Sequence, residues 1–478
     1  MKIKDEFEID KEYRIVLLHP RSFGVLVTSY VDTASYLIRV RISGFARIAP
    51  QLLDGLKKDW GLQGIILDIF PERDQQGPWA VVKVFTETIP SCLRVVAIDT
   101  IVGSDLSESE RPVVSKIQNG TAGNQFSWRE WIEEAIEWVE TVTQRRVASK
   151  LDISQYNAGG EFTLIRFPMK DGNAYWLKAT GQSNSHELRI TSLLARLCRD
   201  SVSEIIAVHP LWNAWLMPDL GRDVESVDDS AQRLRILELA VKQLAQLQLS
   251  TAGHEAELIA EGAFDQRVSR MRSTSEQLFD QIREAMCLQT SMKGLRLDET
   301  RLRRLHDIFV AACEVVEHSG IPVTVIHGDM NAGNVVFQKQ QCRFIDWCEA
   351  YLGWPFVTLQ HLLLLNRQES KQVKVATDRA LIDRYCAILS DVSTVTELNR
   401  ARACIPLLAA ASALYGRGEW LKQPLKDAPQ LQVYVRTMAR HMDSAAQTQR
   451  LLETIGHKRA QYSRMKNCTE KLYVSKSA

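Results

Sequence analysis

Residues 322–347, PVTVIHGDMNAGNVVFQKQQCRFIDW, constrain this chain more than any other stretch. An apolar, strand-like run from Val323 to Ile326 breaks into His327-Gly328-Asp329, and a polar loop, Met330 to Gly333, leads to Asn334. A second apolar run (Val335 to Phe337), a polar turn and a third run (Phe344, Ile345) then deliver Asp346. Two short strands thus present Asp329, Asn334 and Asp346 from their ends and from the loop between. Carboxylate and amide oxygens placed this way suit Mg²⁺, which takes one or two carboxylates and shares the rest of its shell with phosphate oxygens and water. The Asp upstream in the loop can orient a hydroxyl and accept its proton. The competing interpretation is a buried hairpin with incidental Asp and Asn at its turns, where both are common. Five chemistry-bearing positions in register, with strands on both sides, outweigh it.

At 478 residues the chain suggests two or three domains. Hydrophobic residues make up 45% and charged ones 24%, a balance that buries sizeable cores. The formal net charge of +1 argues against a broad nucleic-acid-binding surface. The nine cysteines are scattered and include no C-x-x-C pair, so neither a zinc site nor a disulfide framework is indicated. The start, MKIKDEFEIDKEYR, lacks an apolar signal core, and the longest apolar runs fall short of a membrane span. The expectation is a soluble, reducing, cytoplasmic protein with no nucleic-acid or membrane partner.

Residues 1–105 carry six β-rich runs: RIVLL, FGVLV, YLIRVRI, GIILDIF, WAVVKVF and LRVVAID. One amphipathic segment interrupts them, with Leu52, Leu53, Leu56 and Trp60 at helical spacing. Strands around one helix make a small α+β domain. Residues 106–150 open as a polar connection. They continue as a helix with Ser127 and Glu130 in a capping-box pattern, Phe126 and Trp131 as a hydrophobic staple, and Trp128, Trp131, Ala135, Trp138 and Val142 as an apolar stripe. The stripe is read as packing that docks the N-terminal domain onto the rest. Residues 151–220 hold a hairpin turning at Asp171-Gly172, with Lys178 ending its second strand and a helix from Glu187 with Ile190, Leu193, Leu194 and Leu197 on one face. A strand then runs to Met217 and Asp219. Residues 221–460 are mostly helical in pattern, around the loop at 325–347, and 461–478 form a polar, basic tail.

The central stretch resembles the signature of the aminoglycoside phosphotransferase/choline kinase family, relatives of the protein kinases: H-G-D-x-x-x-x-N followed by I-D-W. The matching residues are His327, Gly328, Asp329, Asn334, Ile345, Asp346 and Trp347. The resemblance implies an α+β chain in which a bilobal protein-kinase-like domain with a mostly helical C-terminal lobe covers about residues 150–460. It further implies Asp329 as catalytic base, Asn334 and Asp346 as metal ligands, and His327 as a brace of the loop. Lys178 would steady the phosphates with Glu187 holding it, and backbone near Met217 and Asp219 would meet the adenine edge. ATP, with GTP as an alternative, and Mg²⁺ follow as cofactors, with a small-molecule hydroxyl as acceptor. Two positions depart from the pattern: Thr358 stands where relatives carry a loop-bracing aspartate, and Asn331 where they carry a histidine. The phosphate-covering loop has only Ala158-Gly159-Gly160 as a candidate.

The N-terminal run resembles a degenerate Nudix domain. Its helix ends in Gly61-Leu62, but Gly55, Lys58 and Asp59 occupy positions where that chemistry needs glutamates. Recognition, regulation and dimerisation remain equally open for it. Two other functions compete with the small-molecule kinase. One is a non-catalytic, kinase-like module that senses a nucleotide or metabolite. The other is a protein kinase, disfavoured because Asp346 is followed by W-C-E and no A-P-E-like anchor.

Overall fold

The computed structural model describes residues 10–28, 36–43, 47–71, 77–121, 126–159, 162–291, 294–416 and 424–456. The chain is a mixed α+β protein, with sheets toward the N-terminus and helices dominating the C-terminus. It divides into two compact units, one of residues up to Leu188 with Glu204–Asp219, the other of Arg189–Ser203 with Leu220 onward.

In the first unit the six β-rich runs become β1 (Lys11–Leu18), β2 (Val25–Thr28), β3 (Ile38–Ile42), β4 (Gly64–Phe70), β5 (Trp79–Val84) and β6 (Leu93–Val96). They form one sheet of order β4-β5-β1-β2-β6, with β3 also pairing β1. β1 and β5 run parallel, and the other pairs run antiparallel. The unbroken apolar run of β1 has its reason in burial on both faces. Ile15 and Leu17 pack with Leu52 and Leu56 of helix α1 (Ile48–Trp60), while Val16 and Leu18 face the core that holds Trp131. Gly61, at φ +65, ends α1: its amide bonds the Lys57 carbonyl and that of Leu62 bonds Leu56, a Schellman closure. Gly55 lets α1 approach β3, since a Cβ there would strike the Val40 side chain.

The polar connection contains a helix, α2 (Arg111–Gln118), whose Val114 and Ile117 are buried. Its entry is tied down by Arg14, which pairs with Glu110 at 2.8 Å. The capping-box expectation fails at the next helix, α3 (Trp131–Thr143). Ser127 donates instead to the buried Asp68 carboxylate at 2.9 Å, and α3 starts four residues later with no side-chain cap. Phe126 and Trp131 do meet, edge to face at 6.0 Å.

A second sheet in the same unit has order β10-β11-β9-β8-β7, all antiparallel. It comprises β7 (Ser154–Asn157), β8 (Phe162–Pro168), β9 (Ala174–Thr180), β10 (Ala207–Val208) and β11 (Ala214–Pro218). Gly172, at φ +87, turns the β8–β9 hairpin. Ile165, Leu177 and Leu216 of this sheet share one core with Val16 and Val27 of the first sheet and with Trp131, Ile132 and Val139 of α3. The small N-terminal domain, the Trp-rich helix and the second sheet are therefore continuous, with α3 packed into the core the two sheets share.

Helix α4 (His186–Leu197) follows β9. The second unit then contains α5 (Ser230–Ser250), α6 (Glu255–Ala260), β12 (Phe264–Asp265), α7 (Val268–Ser273), α8 (Ser275–Cys287) and α9 (Glu299–Glu317). After these come β13 (Thr324–His327), β14 (Val335–Gln338), β15 (Gln341–Phe344), β16 (Ala350–Gly353), α10 (Phe356–Leu365), α11 (Lys371–Leu389), α12 (Val395–Tyr415) and α13 (Pro429–Ala446). Asp229 caps α5 by accepting from the Ala231 amide. The helix buries Leu237, Val241, Leu244 and Leu247 as its periodicity predicts, and also Gln248. None of the helices among the described residues is long and apolar enough to cross a membrane. The basic tail and Gly160 lie outside the described residues.

Candidate active site

The loop of the second unit is built from two small sheets. β13 pairs antiparallel with β16, His327 opposite Ala350, and β14 pairs with β15, Val335 opposite Phe344. Gly328 follows β13 because nothing larger fits: a Cβ there would run into the Glu349 carbonyl. Asn331 caps the short turn Ala332–Asn334 by accepting from the Gly333 amide at 2.9 Å, and its Nδ2 donates to the Asp329 carbonyl at 3.1 Å. Asn334 Nδ2 donates to the Asp329 carbonyl at 2.7 Å and to its carboxylate at 3.3 Å. Lys339 and Gln340, both at positive φ, turn the β14–β15 hairpin. The chain then enters Asp346 in the left-handed region, φ 67 and ψ 65, a conformation a non-glycine residue adopts at a cost.

His327 ties these pieces together. Its Nε2–H donates to the Ile345 carbonyl at 2.8 Å, the residue before Asp346, and its ring lies 4.6 Å from that of Trp347. The Ile345 amide in turn bonds the Asn334 carbonyl at 3.1 Å. Burial holds the His327 imidazole below its ordinary pKa, against the opposing pull of the Ile345 carbonyl and of Asp346 and Asp329. Four of the expected residues, His327, Asp329, Asn334 and Asp346, are thus joined by one short network.

A second layer went unseen in the sequence. The His327 amide donates to Thr358 Oγ1 at 3.1 Å. Gln248 Nε2 reaches the same hydroxyl at 3.2 Å and also the Val325 and Pro355 carbonyls. Tyr385 closes the network onto Gln248 Oε1 at 2.5 Å. Thr358 therefore supplies an acceptor to the loop at the position where the family pattern has an aspartate. Its departure from that pattern was visible in the sequence, whereas Gln248 and Tyr385 read as ordinary helix residues.

In the first unit Lys178 of β9 pairs with Glu187 at 2.5 Å, and both are buried. The ammonium also lies 4.8 Å from the Phe162 ring centroid. Met217 stands opposite Trp176 in the β11–β9 ladder. Asp219 is engaged within its own unit: Arg166 donates to its carboxylate at 2.7 Å and its amide bonds the Ala174 carbonyl at 2.9 Å. Those bonds leave the Asp219 amide unsuited to read an adenine edge. Gly159, at φ +114, accepts from Thr163 Oγ1 at 3.0 Å.

Among the described residues no group of three or more His, Cys, Asp and Glu side chains gathers that could hold a metal by itself. Asn334 Nδ2 is engaged by Asp329, which presents the amide Oδ1 as the atom suited to a cation. Two protein oxygens, with phosphate and water completing the shell, fit Mg²⁺ better than a cation that needs an all-protein cage.

The phosphotransferase enzyme family matches residues 182–392, a span that contains Glu187 and the whole network around His327, Asp329 and Asn334. The segment that holds these residues is thus phosphotransferase-like, and the resemblance drawn from the H-G-D and I-D-W residues stands. Residues 1–181 lie outside that match, so the Nudix likeness rests on sequence alone. No curated protein matches the chain. Several solved structures are similar to it at low identity. A macrolide 2′-phosphotransferase from Brachybacterium faecium is 14% identical, covering 66% of this chain and 97% of that one, with a TM-score of 0.39. A putative fructosamine-3-kinase from Thermobifida fusca is 18% identical (64% and 98% covered, TM-score 0.40). A Plasmodium vivax ethanolamine kinase is 13% identical (73% and 96% covered, TM-score 0.43).

Proposed function

We propose that this protein is an ATP- and Mg²⁺-dependent kinase that transfers the γ-phosphoryl group to a hydroxyl of a small molecule. The observation that carries the reading is the network in which His327 and Asn334 fix Asp329 and Asp346 relative to one another. Asp329 orients the acceptor hydroxyl and takes its proton as the oxygen bonds to phosphorus. The bond from phosphorus to the bridging oxygen breaks, and ADP leaves. Asn334 Oδ1 and the Asp346 carboxylate hold Mg²⁺, which neutralises charge on the phosphates. Lys178, held by Glu187, steadies the phosphates, and the backbone of Met217 meets the adenine edge. Asp219 supports that strand through Arg166.

The test is ADP release with Mg²⁺ and ATP or GTP, alongside thermal shift. Nucleotide with Mg²⁺ raises Tm by mass action. Asp346→Ala abolishes Mg²⁺-dependent turnover, and Asp329→Ala lowers it by about 10²–10⁴-fold, with unchanged circular dichroism. Lys178→Ala weakens the nucleotide-dependent shift. A Mg²⁺-dependent shift without any turnover would instead favour a sensing module, and wild-type turnover in Asp346→Ala would reject the metal assignment.

A further inference from the structure

The second unit contains a cavity of about 690 Å³ with one wall made by His327, Gly328 and Glu349, the start of the catalytic loop. The opposite walls are contributed by α10, α12 and α13 and are largely apolar: Val357, Leu364, Pro406, Ala409, Ala413 and Met438. Leu364 is 65% exposed, an apolar side chain left in water beside the cavity.

The charge of the lining is as informative as its shape. Among the described lining residues Glu349 is the one carboxylate, and there is no lysine or arginine. Burial lowers the pKa of His327 and His361, which keeps both imidazoles neutral at pH 7. The polar groups on the β16 side satisfy one another: Tyr351 bonds Ser412 at 2.9 Å, and Ser412 donates to Gln266 at 2.7 Å. By contrast His361 Nδ1 is buried without a hydrogen-bond partner, and the Asp329 charge reaches this ring. A ligand bearing several ammonium groups would find only Glu349 among the described lining residues, with Asp329 committed to the reacting hydroxyl, and its other charges would be desolvated against methyl and methylene groups without compensation. An apolar body, conversely, covers walls that otherwise face water.

Resting on the kinase reading, we propose that the phosphoryl acceptor is an amphiphilic hydroxyl compound with at most one cationic amine. Its apolar body lies against α10, α12 and α13, Glu349 takes the amine where there is one, and His361 Nδ1 bonds a polar group beside the reacting hydroxyl. The described walls offer a polycationic amino sugar no such compensation.

Saturation-transfer difference NMR on the full chain tests this with two probes, octyl β-glucoside below its micelle threshold and kanamycin, at physiological ionic strength. The octyl protons are saturated in the wild type and lose most of that signal in Ala409→Trp and in Ala413→Trp, two substitutions that fill the cavity from α12. The second variant guards against a folding defect in the first, and thermal melts of each identify one. Kanamycin gives no comparable signal. Kanamycin saturation that disappears in Glu349→Gln would overturn the proposal, as would octyl saturation that is absent or indifferent to both Trp variants. The Mg²⁺-ATP thermal shift on the same samples separates the two readings: its absence with the octyl signal intact strikes the kinase assignment and leaves the cavity's ligand preference standing.

Discussion

Thr358 shows how one hydroxyl holds a loop. It accepts from the His327 amide and from Gln248, so removing it takes from the buried His327 amide its acceptor, while Gln248 keeps the Val325 and Pro355 carbonyls. Thr358→Val should cost about 1–3 kcal/mol, seen as a Tm lower by several degrees, while Thr358→Ser retains most of the stability. Equal Tm values for the two variants would refute the bracing role. Gly328 is constrained by contact rather than by conformation. In Gly328→Ala the new methyl must push the Glu349 backbone away, so ADP release should fall with Asp329 displaced, even where the melt shows the fold retained. His327 links the loop to pH. Its folded pKa lies below the ordinary value of 6.5, so below that pH the unfolded chain takes up a proton that the folded chain does not. Stability is therefore present above about pH 6.5 and declines as pH falls. Gln in its place offers a donor to the Ile345 carbonyl but does not titrate. The Tm of His327→Gln should decline less steeply than the wild type between pH 7 and 5, and parallel curves would argue against it.

At the scale of elements, α3 decides whether the two sheets of the first unit have a common core. Its stripe is amphipathic in sequence, but what it touches is not written there. Trp131 is fully buried and meets Phe126 and Trp212, the latter on the turn that leads into β11. Arg129, just before the helix, donates to the His19, Pro20 and Ser22 carbonyls, and Lys83 of β5 bonds both the Arg129 carbonyl and Glu133. Trp131→Ala removes one of three buried tryptophans from that core and should cost about 3–5 kcal/mol. An unchanged melting temperature would mean the stripe is peripheral.

For the whole molecule, the consequence is that the second sheet is not an independent piece. Ile165, Phe167, Leu177, Ala214 and Leu216 pack into the core shared with α3 and the first sheet. A chain trimmed to residues 151–478 would expose that face. It is expected to aggregate or to melt well below the full chain, as comparison of soluble yield and Tm would show. A stable, monomeric fragment of that length would contradict the shared core. Both faces of β1 are likewise covered within the unit, by α1 on one side and the α3 core on the other, which leaves neither face of that strand for a dimer.

The six N-terminal strands, the α1 stop at Gly61, the Asp171-Gly172 hairpin and the two short strands around the Asp329 loop were all legible in the sequence. Each depends on local rules: side-chain alternation, turn chemistry and the spacing of a short motif. The bracing of the loop by Thr358, Gln248 and Tyr385 was not, because Gln248 lies 110 residues from Thr358 and Tyr385 137 from Gln248, and these bonds form only when α5, α10 and α11 pack. Ser127 illustrates the same limit: its local pattern is a helix cap, yet the buried Asp68 carboxylate, 59 residues away, captures its hydroxyl. The cavity belongs to this second category, since its apolar walls come from α10, α12 and α13, spread over residues 356–446. Local sequence determined the elements and the polar side chains of the Asp329 loop. Long-range packing alone decided what steadies those side chains and which surface stands beside them.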